Sequence, residues 1–391
     1  MSSNGFSSNL PSYDLIAWRK EIPLLDRFIP LNNCSHAPLM RRTSEAAEEY
    51  LREWNRLGMD WDSWMSEIEK CRSAFAGLIG AEPHEVAITT SVSAATAAVA
   101  SCIDFSARRK KVVASGAEFP TVGHVWRAHE RLGAEVDWVS VRDEQMFSAD
   151  YAEHIDEKTA IVSATHAWYQ NGSLQDTQEI TRVAHENGAL VYVDAYQTAG
   201  VVPIDVKKTN IDFLAAGALK YLLGIPGIAF LYVRQEVAEN LHPTVTGWFG
   251  RRDPFAFDEK LLDWAPSARR FDTGTPPIIN AYVARVGIET IRELGTKAIR
   301  EWTLQLSGRI VERAREHGLE IHGPEDPQRR TPSTAVRCGG RSSHDVETQL
   351  KQRGVLASAR GPVIRLAPHF YNTLDEIDSA VDTLADILNS S

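Results

Sequence analysis

Two polar side chains follow two successive apolar runs of the chain, and their types could support chemistry on an amine. Asp194 ends the run ALVYVD, and Lys220 comes shortly after the run DFLAAG. A lysine can form an imine with the aldehyde of pyridoxal phosphate, and an acid beside the pyridine nitrogen keeps that nitrogen protonated, so that the ring accepts electrons from a substrate carbanion. Alone, each residue is more simply a solvated lysine or an aspartate at a strand end. Together, they favour a pyridoxal phosphate site.

Polar residues elsewhere could hold other parts of such a cofactor. The segment TTSVSAAT joins a predicted strand to a predicted helix. The free N–H groups of the helix N-terminus, with the hydroxyls of Ser91 and Ser93, could bind a phosphate, or the serines could merely cap the helix. Gln197 could donate a hydrogen bond to the ring oxygen or could simply be solvated.

Three aromatic residues in polar loops could line the same pocket. Phe119 in GAEFPTVG could stack on the pyridine ring, and Tyr169 in THAWYQNG and Trp248 in TGWFG are further candidates. Each could equally pack locally, as a buried aromatic residue does.

Two further segments each present a polar residue of interest. Arg365 lies inside the apolar segment VIRLAP, and Thr275 stands at the tip of the loop RRFDTGTPPI, where it presents a hydroxyl and an N–H. A buried guanidinium needs a partner, which a substrate carboxylate or an internal salt bridge would provide. The substrate carboxylate is the favoured interpretation.

The elements that must position these residues follow a regular order. From about residue 85, helical stretches alternate with the predicted strands EVAITT, KVVASG, EVDWVSV, TAIVSATHA, ALVYVDA, IDFLAAG and GIAFLYV. This alternation implies an α/β fold with a mostly parallel sheet and helices on both faces, in which ligands bind at the carboxyl ends of the strands. Asp194 and Lys220 both fall at such ends.

After about residue 276 the pattern changes to a long helical run, with a break expected near Gly295, and then to shorter strands and helices. Thr373 and Glu376 form a T-x-x-E capping box that predicts the start of the last helix. The predicted domains are an N-terminal arm of residues 1–30, a large domain of residues 31–280 and a small α+β domain of residues 281–391.

Composition narrows the function classes. The 391 residues carry a net charge of −10 with no basic block, which argues against nucleic acid or an anionic membrane as the main partner. No apolar run approaches the ~20 residues of a membrane span. The start, MSSNGFSSNLPSYD, lacks the features of a signal peptide and predicts a frayed tail. Four widely spaced cysteines without a CxxC motif predict free thiols in the cytoplasm, and the scattered histidines predict no metal site.

The chain resembles the class V aminotransferase family of fold type I pyridoxal phosphate enzymes over nearly its whole length. This family includes cysteine desulfurases, selenocysteine lyases, kynureninases and isopenicillin N epimerase-like proteins. The similar segments, in the family's order, are LNNCSHAP, EFPT, THAWYQNG, VDAYQTAG, ALKYLLG, RFDTGTPPI and VIRLAPHFYNT. LNNCSHAP and SARGPVIRLAPHFYNT look closest to the epimerase-like and carbon–sulfur lyase-like branch.

The resemblance implies a role for each matching position at the cofactor. Lys220 would be the Schiff-base lysine, Asp194 the partner of the ring nitrogen and Gln197 the partner of the ring oxygen. Ser93 and the Ala94 N–H would hold the phosphate.

The resemblance also implies contacts beyond the cofactor of one chain. Thr275 would reach the phosphate of the neighbouring subunit, which requires a homodimer. Arg365 would bind the α-carboxylate of an amino-acid substrate, and Arg360 and His36 are further candidates for substrate contacts.

Departures from the family pattern reduce the number of reactions that we expect for this chain. Similar desulfurases carry a histidine directly before the lysine and a serine three residues before it, where this chain has Leu219 and Gly217. They also carry a reactive cysteine ahead of the arginine, whereas residues 355–365 contain none and Cys338 comes too early. A persulfide relay is therefore not expected. Kynureninases, in turn, usually have a histidine where Gln197 stands.

The leading prediction is a lyase that removes the α-proton and expels a β-substituent linked through sulfur, with Lys220 moving the proton. An aminotransferase, or an oxidative deaminase or decarboxylase, on the same scaffold is the alternative, because a fold does not decide which bond breaks. An epimerase is less favoured. A non-catalytic cofactor-binding scaffold is also less favoured, because Lys220, Asp194 and Arg365 are all present.

Overall fold

The computed structural model describes residues 10–390 of the chain. The strands are β1 (Ile29–Pro30), β2 (Val86–Thr89), β3 (Lys111–Ser115), β4 (Glu135–Val139), β5 (Thr159–Thr165), β6 (Leu190–Asp194), β7 (Phe213–Gly217), β8 (Ala229–Val233), β9 (Ile321–His322), β10 (Thr334–Arg337), β11 (Val355–Leu356), β12 (Ser358–Arg360) and β13 (Val363–Leu366). The α-helices are α1 (Leu15–Arg19), α2 (Arg41–Leu57), α3 (Trp61–Ile79), α4 (Val92–Ala100), α5 (Pro120–His129), α6 (Ser148–Ala152), α7 (Thr177–Glu186), α8 (Val206–Thr209), α9 (Gln235–Ala238), α10 (Ile278–Leu294), α11 (Thr296–Glu316), α12 (Ser343–Gln352) and α13 (Leu374–Asn389).

The main sheet has seven strands in the order β2-β8-β7-β6-β5-β3-β4. The neighbours from β7 to β4 run parallel, and β8 runs antiparallel to both β7 and β2. This confirms the predicted α/β fold with a mainly parallel seven-stranded sheet. The parallel strands bring their carboxyl ends to one edge, which is where ligands bind in such sheets.

Both faces of this sheet are buried, because successive side chains of a strand point to opposite sides. In β7, Leu214 and Ala216 join one hydrophobic core, and Phe213 and Ala215 join the other. The strands therefore appear in the sequence as continuous apolar runs rather than as alternating ones.

A second sheet lies in the C-terminal part of the chain, with the antiparallel order β12-β13-β10-β9. Its core is shared with α11, α12 and α13. Gly295, at φ 81°, separates α10 from α11, as the expected break requires. The predicted capping box of α13 is present, since the Glu376 N–H donates to Thr373 Oγ1 at 3.2 Å and the Thr373 N–H donates to Glu376 Oε2 at 3.0 Å.

The N-terminal segment is anchored to the C-terminal part of the chain. Strand β1 pairs in parallel with β11. Part of the expected frayed tail is ordered, which corrects that prediction, since the Tyr13 hydroxyl donates to the Phe370 carbonyl at 2.7 Å and Asp14 caps α1. The rest of that tail, residues 1–9, lies outside the described residues. The division at residues 30 and 280 stays a prediction.

Candidate active site

Lys220 lies on the turn that follows β7, at the carboxyl edge of the main sheet. Its side chain is half-buried, and its Nζ lies 4.1 Å from the centre of the Tyr196 ring and 5.7 Å from the centre of the Phe119 ring. Removal from water lowers the pKa of Lys220 to about 8, although the nearby Asp194 carboxylate acts in the opposite direction. The amine is therefore neutral, and nucleophilic, at a much lower pH than an ordinary lysine.

Asp194 is the last residue of β6, the strand beside β7. Only 5% of it is exposed, and its Oδ1 accepts the backbone N–H of Tyr196 at 2.8 Å. Burial raises the pKa of Asp194, while the Tyr196 N–H and Lys220 lower it. Within residues 10–390 it forms no ion pair, so this buried acid would gain from a cation placed beside it.

One cavity of about 380 Å³ contains both residues, and it is called the Lys220 cavity below. That volume falls in the range of small-molecule sites. Its lining comes from the N-terminal segment, the strand ends and the small sheet: Cys34, Ser35, Thr90, Ser91, Val92, Ser93, Phe119, Thr121, Thr165, Ala167, Tyr169, Asp194, Tyr196, Gln197, Leu219, Lys220, Pro226, Gly227, Ile228, Arg360 and Arg365.

The N-terminus of α4 faces one end of the Lys220 cavity. Ser91 is the N-cap of this helix, and its Oγ accepts the Ala94 N–H at 3.1 Å. The Ser93 and Thr121 hydroxyls lie 3.0 Å apart. Ser91 therefore does cap the helix, while Ser93 and Thr121 place two hydroxyls at a helix N-terminus that favours anions.

Aromatic side chains enclose the amine of Lys220. Phe119 and Tyr169 pack edge to face with ring centres 5.2 Å apart. Tyr196 was not predicted from the sequence, yet its ring is the one nearest to Lys220 Nζ. A Cβ on Gly217 would overlap the Tyr196 ring, so glycine at that strand end is what admits the tyrosine. Two features of the sequence could have indicated this contact: a tyrosine two residues after Asp194, and Gly217 at the end of the strand before Lys220.

Gln197 is buried and forms a hydrogen bond with the N-terminal segment that lines the cavity. Its Nε2 donates to the Cys34 carbonyl at 3.0 Å, and the Ala37 N–H donates to the Leu219 carbonyl at 3.1 Å. These bonds hold residues 34–37 across the cavity beside Lys220.

Arg365, in the centre of β13, is 1% exposed. It donates to the Tyr169 carbonyl at 2.6 Å and to Ser35 Oγ at 2.9 Å, and its Nε has no hydrogen-bond partner among residues 10–390. Within the described residues no carboxylate pairs with it, so the internal salt bridge that the sequence left open is not formed. A buried cation without a counter-ion is costly, and an anionic ligand would remove that cost.

Four predicted residues do not line the Lys220 cavity of this chain. The Ala94 N–H is taken by Ser91, His36 is exposed on the loop after Ser35, and Thr275 is exposed. Trp248 packs against Trp61 with ring centres 5.6 Å apart. Their predicted roles stay predictions.

Trp248 and Thr275 nevertheless belong to one region of the surface. The Phe249 N–H donates to the Thr273 carbonyl at 3.1 Å, which ties their two loops together. Thr275 lines a small pocket that shares Thr90 with the Lys220 cavity. Beside Trp248 lies a group of exposed apolar residues, called the aromatic patch below: Phe255, Phe257, Leu261 and Leu262.

Cys338 follows β10 directly and is buried in the core of the small sheet, away from the Lys220 cavity. All four cysteines are free. In residues 10–390 no helix is long and apolar enough to cross a membrane, and no group of three or more His, Cys, Asp or Glu side chains could hold a metal ion.

Comparison with known proteins identifies the family. The family model described as aminotransferase class-V matches residues 30–376. The chain belongs to the class V aminotransferase family. The Bacillus subtilis protein YcbU, described as an uncharacterized aminotransferase, is 38% identical over 368 residues, which cover 94% of this chain and 96% of YcbU. Kynureninase from Deinococcus radiodurans is 28% identical over 95% of this chain and 92% of that protein.

A solved structure confirms the fold type I architecture. Apo cysteine desulfurase from Thermococcus onnurineus NA1 superposes with a TM-score of 0.87 at 24% identity, over 97% of this chain and 99% of that one. At this identity the likeness shows the fold alone.

Enzymes of this family bind pyridoxal 5'-phosphate, and the residues of the Lys220 cavity fit that group. The cavity provides an amine with a lowered pKa and a buried acid that, within residues 10–390, forms no ion pair. It also provides hydroxyls at a helix N-terminus and an aromatic side chain, Phe119. The protein is thus a pyridoxal phosphate enzyme of this family.

Proposed function

We propose that this enzyme acts on an amino acid through Lys220 and catalyses β-elimination, with cleavage of a carbon–sulfur bond as the leading reaction. The observation that carries the amino-acid substrate is Arg365, a buried guanidinium without an acidic partner in the cavity that contains Lys220. A bidentate carboxylate matches its charge and its planar geometry.

Bound pyridoxal phosphate supplies an electron sink that stabilises negative charge at the substrate α-carbon. Asp194 holds the proton on the ring nitrogen, and Arg365 orients the substrate carboxylate. The Lys220 amine moves the α-proton, because its neighbour Leu219 offers no acid or base. Elimination needs no second nucleophile, so Cys338, which is buried in the core of the small sheet, has no part in it.

The remaining contacts in this proposal concern the cofactor. Ser93 binds its phosphate, together with the Ala94 N–H if Ser91 releases that group. Gln197 donates to the ring oxygen, and Phe119 stacks on the ring with Tyr169 packed against its edge. His36 lies on the loop beside Ser35, from which it would meet a substrate only if that loop closes inward.

We further propose a homodimer with shared active sites, in which Thr275 reaches the phosphate of the neighbouring subunit and Trp248 approaches the cofactor from the same side. The aromatic patch supports this proposal, because a contiguous exposed apolar area is typical of a protein contact. The four free cysteines favour a reducing, cytoplasmic location.

An aminotransferase is the second candidate, because YcbU, at 38% identity, carries that description. The two reactions differ in their products. Elimination from an S-substituted cysteine gives pyruvate, ammonia and a thiol, whereas transamination gives a keto acid that keeps the sulfur and leaves the amino group on the cofactor.

A panel of amino acids with product analysis tests the proposal. The expected result is pyruvate, ammonia and thiol in equal amounts from an S-substituted cysteine. A keto acid that retains sulfur, with the pyridoxamine form of the cofactor building up, would replace elimination by transamination. Arg365→Ala should keep the visible spectrum of the bound cofactor and raise the amino-acid concentration that perturbs it, and Arg365→Lys should restore binding only in part. Unchanged substrate affinity in Arg365→Ala would move the carboxylate site elsewhere.

A further inference from the structure

A second arginine shares a sheet face with Arg365. In the antiparallel pair of β12 and β13, Ser358 lies opposite Arg365 and Arg360 lies opposite Val363. Side chains two residues apart on a strand point to the same face, so Ser358 and Arg360 face the same way. Ser358 Oγ lies 2.7 Å from Ser35 Oγ, and Ser35 also accepts from Arg365. Arg360 therefore faces the Lys220 cavity, whose wall it forms together with Arg365.

The positive charge on this face is not balanced by the protein. Within residues 10–390 neither Arg360 nor Arg365 forms an ion pair, and the one side-chain bond of Arg360 goes to its neighbour, the Ala359 carbonyl, at 3.2 Å. Asp194 is the one acidic residue among the described residues that line the cavity. Both arginines lower the pKa of Lys220, so their fields reach the reacting amine.

An amino acid with a single carboxylate would balance only one of these two charges. Arg360 and Arg365 are diagonal neighbours on antiparallel strands, and such positions are about 7–8 Å apart. A short molecule with an acidic group at each end spans a similar distance. Arg365 is buried and Arg360 is exposed at the cavity mouth, so the substrate's α-carboxylate belongs deep in the cavity and a second acid belongs near the opening.

We propose that Arg360 binds a second acidic group at the end of the substrate side chain. The substrate class is then an α-amino acid with an acid-terminated side chain, and for carbon–sulfur cleavage a cysteine whose sulfur carries a carboxylate-bearing substituent. This proposal rests on the proposed function.

The reaction balances without a further oxidant or reductant. The α-proton is removed, the carbon–sulfur bond breaks, and the sulfur leaves with the bonding pair and takes up a proton as the free thiol. The remaining three-carbon fragment adds water to give pyruvate and ammonia. The second acid leaves with the thiol.

Matched substrate pairs test Arg360. We expect kcat/KM for S-carboxymethylcysteine to exceed that for S-ethylcysteine by about five- to tenfold, a modest factor because Arg360 is exposed to water. Arg360→Gln should abolish this preference through KM, and Arg360→Lys should keep part of it. Arg353→Gln, an exposed arginine at the end of α12, removes the same charge away from the cavity and should leave the preference unchanged. An equal rate on both substrates in the wild type, or a preserved preference in Arg360→Gln, would overturn the proposal.

A binding measurement without turnover separates this proposal from the proposed function. After borohydride fixes the cofactor on Lys220, calorimetry should find that succinate binds more tightly than butyrate, and that Arg360→Gln binds the two nearly equally. If the wild type binds succinate and butyrate equally while the adduct is still on Lys220, Arg360 does not bind a second acidic group, and the proposed function is unaffected. If neither cysteine is cleaved but aspartate is transaminated faster than 2-aminobutyrate in an Arg360-dependent way, the substrate class stands and elimination is wrong.

Discussion

The Lys220 cavity and the surface that carries Trp248 and Thr275 are built in different ways. The cavity is formed largely by strand ends of one chain, and its Asp194 and Arg365 side chains are buried and hydrogen-bonded within that chain. The Trp248 and Thr275 loops pack on each other but present apolar side chains to water, with Phe257 72% exposed and Leu261 51% exposed. The residues that line the cavity come from a single chain, whereas the other region has the character of half a contact.

This difference separates what a single chain can hold from what a pair of chains would add. A lysine amine, an acid and an arginine need fixed geometry, which the main sheet and β13 supply. A phosphate held in part by Thr275 of a neighbour would make cofactor binding depend on assembly. Changes in the Lys220 cavity should therefore act on chemistry, and changes in the aromatic patch should act on assembly.

The largest effect is expected from Lys220→Ala, which removes the amine that we propose binds the cofactor and moves the proton. Turnover should fall by at least about a thousandfold, with the fold retained and cofactor binding weakened. Lys208→Ala, an exposed lysine on α8, is the matched control. Borohydride reduction and peptide mapping of the wild type locate the adduct, and an adduct on another lysine would overturn the assignment.

Asp194→Asn should come next, because it keeps the shape of the side chain and removes the acid that we propose lies beside the ring nitrogen. Turnover should fall by about a hundredfold or more, while the thermal midpoint changes little. The visible spectrum of the bound cofactor and the steady-state rate provide the measurement. Wild-type turnover in this variant would mean that Asp194 does not serve the ring nitrogen.

The sequence predicts the Lys220 cavity better than it predicts the surface. Asp194 and Lys220 could be found because the buried strands are continuous apolar runs and the carboxyl ends of parallel strands meet. The break at Gly295 and the capping box at Thr373 are local signals that the structure confirms. Tyr196 was missed because its place depends on the absence of a Cβ at Gly217, which is a contact between two strands.

Long-range contacts explain the other differences. Residues 10–14 were expected to fray, but Tyr13 bonds to Phe370, which is 357 residues further along the chain. Arg365 was correctly expected to be buried, yet only the structure shows that no acid of the described residues accompanies it. A sequence pattern predicts whether a residue is buried more readily than it predicts which groups that residue contacts.

Subunit mixing tests whether the two regions act across a dimer. A Lys220→Ala chain and a Thr275→Ala chain, each of low activity, should recover about a quarter of the wild-type sites when randomly mixed, because one site of each heterodimer regains both residues. Thr275 could instead serve its own chain, because Thr90 lines both the Thr275 pocket and the Lys220 cavity. In that case no recovery of activity is expected.

The aromatic patch itself can be tested by a single charge. Phe257→Asp should shift the protein from dimer to monomer in analytical ultracentrifugation and weaken cofactor retention, because a buried unpaired carboxylate is costly. Leu132→Asp, at an exposed leucine away from the patch, is the control. A Phe257→Asp variant that remains a dimer would exclude the patch as the contact.

A smaller effect is expected at Gly217, where the two strand ends meet Tyr196. Gly217→Ser would push against the Tyr196 ring and should lower the free energy of unfolding by about 1–3 kcal/mol, as overpacking does. Tyr196→Ala combined with Gly217→Ser should recover part of that loss. Urea denaturation of Gly217→Ser, of Tyr196→Ala and of the double variant measures these losses. Additive losses in the double variant would mean that the two residues do not interact.

The smallest expected effect is the pH dependence of cofactor attachment, which should follow the titration of Lys220. Because burial lowers the pKa of Lys220 from 10.5 to about 8, about a tenth of the amine is neutral at pH 7, and the neutral fraction rises towards one above pH 9. The rate at which the cofactor-free protein binds pyridoxal phosphate should therefore rise about tenfold and level off, with a midpoint near pH 8. The unfolded chain holds more protons than the folded one between pH 8 and 10.5, so the stability of the cofactor-free protein should also increase with pH in that window. Arg360→Gln should move the midpoint upwards, since Arg360 lowers the pKa of Lys220, and Arg353→Gln should leave it in place. A midpoint that matches free N-acetyl-lysine would mean that the cavity does not remove Lys220 from water.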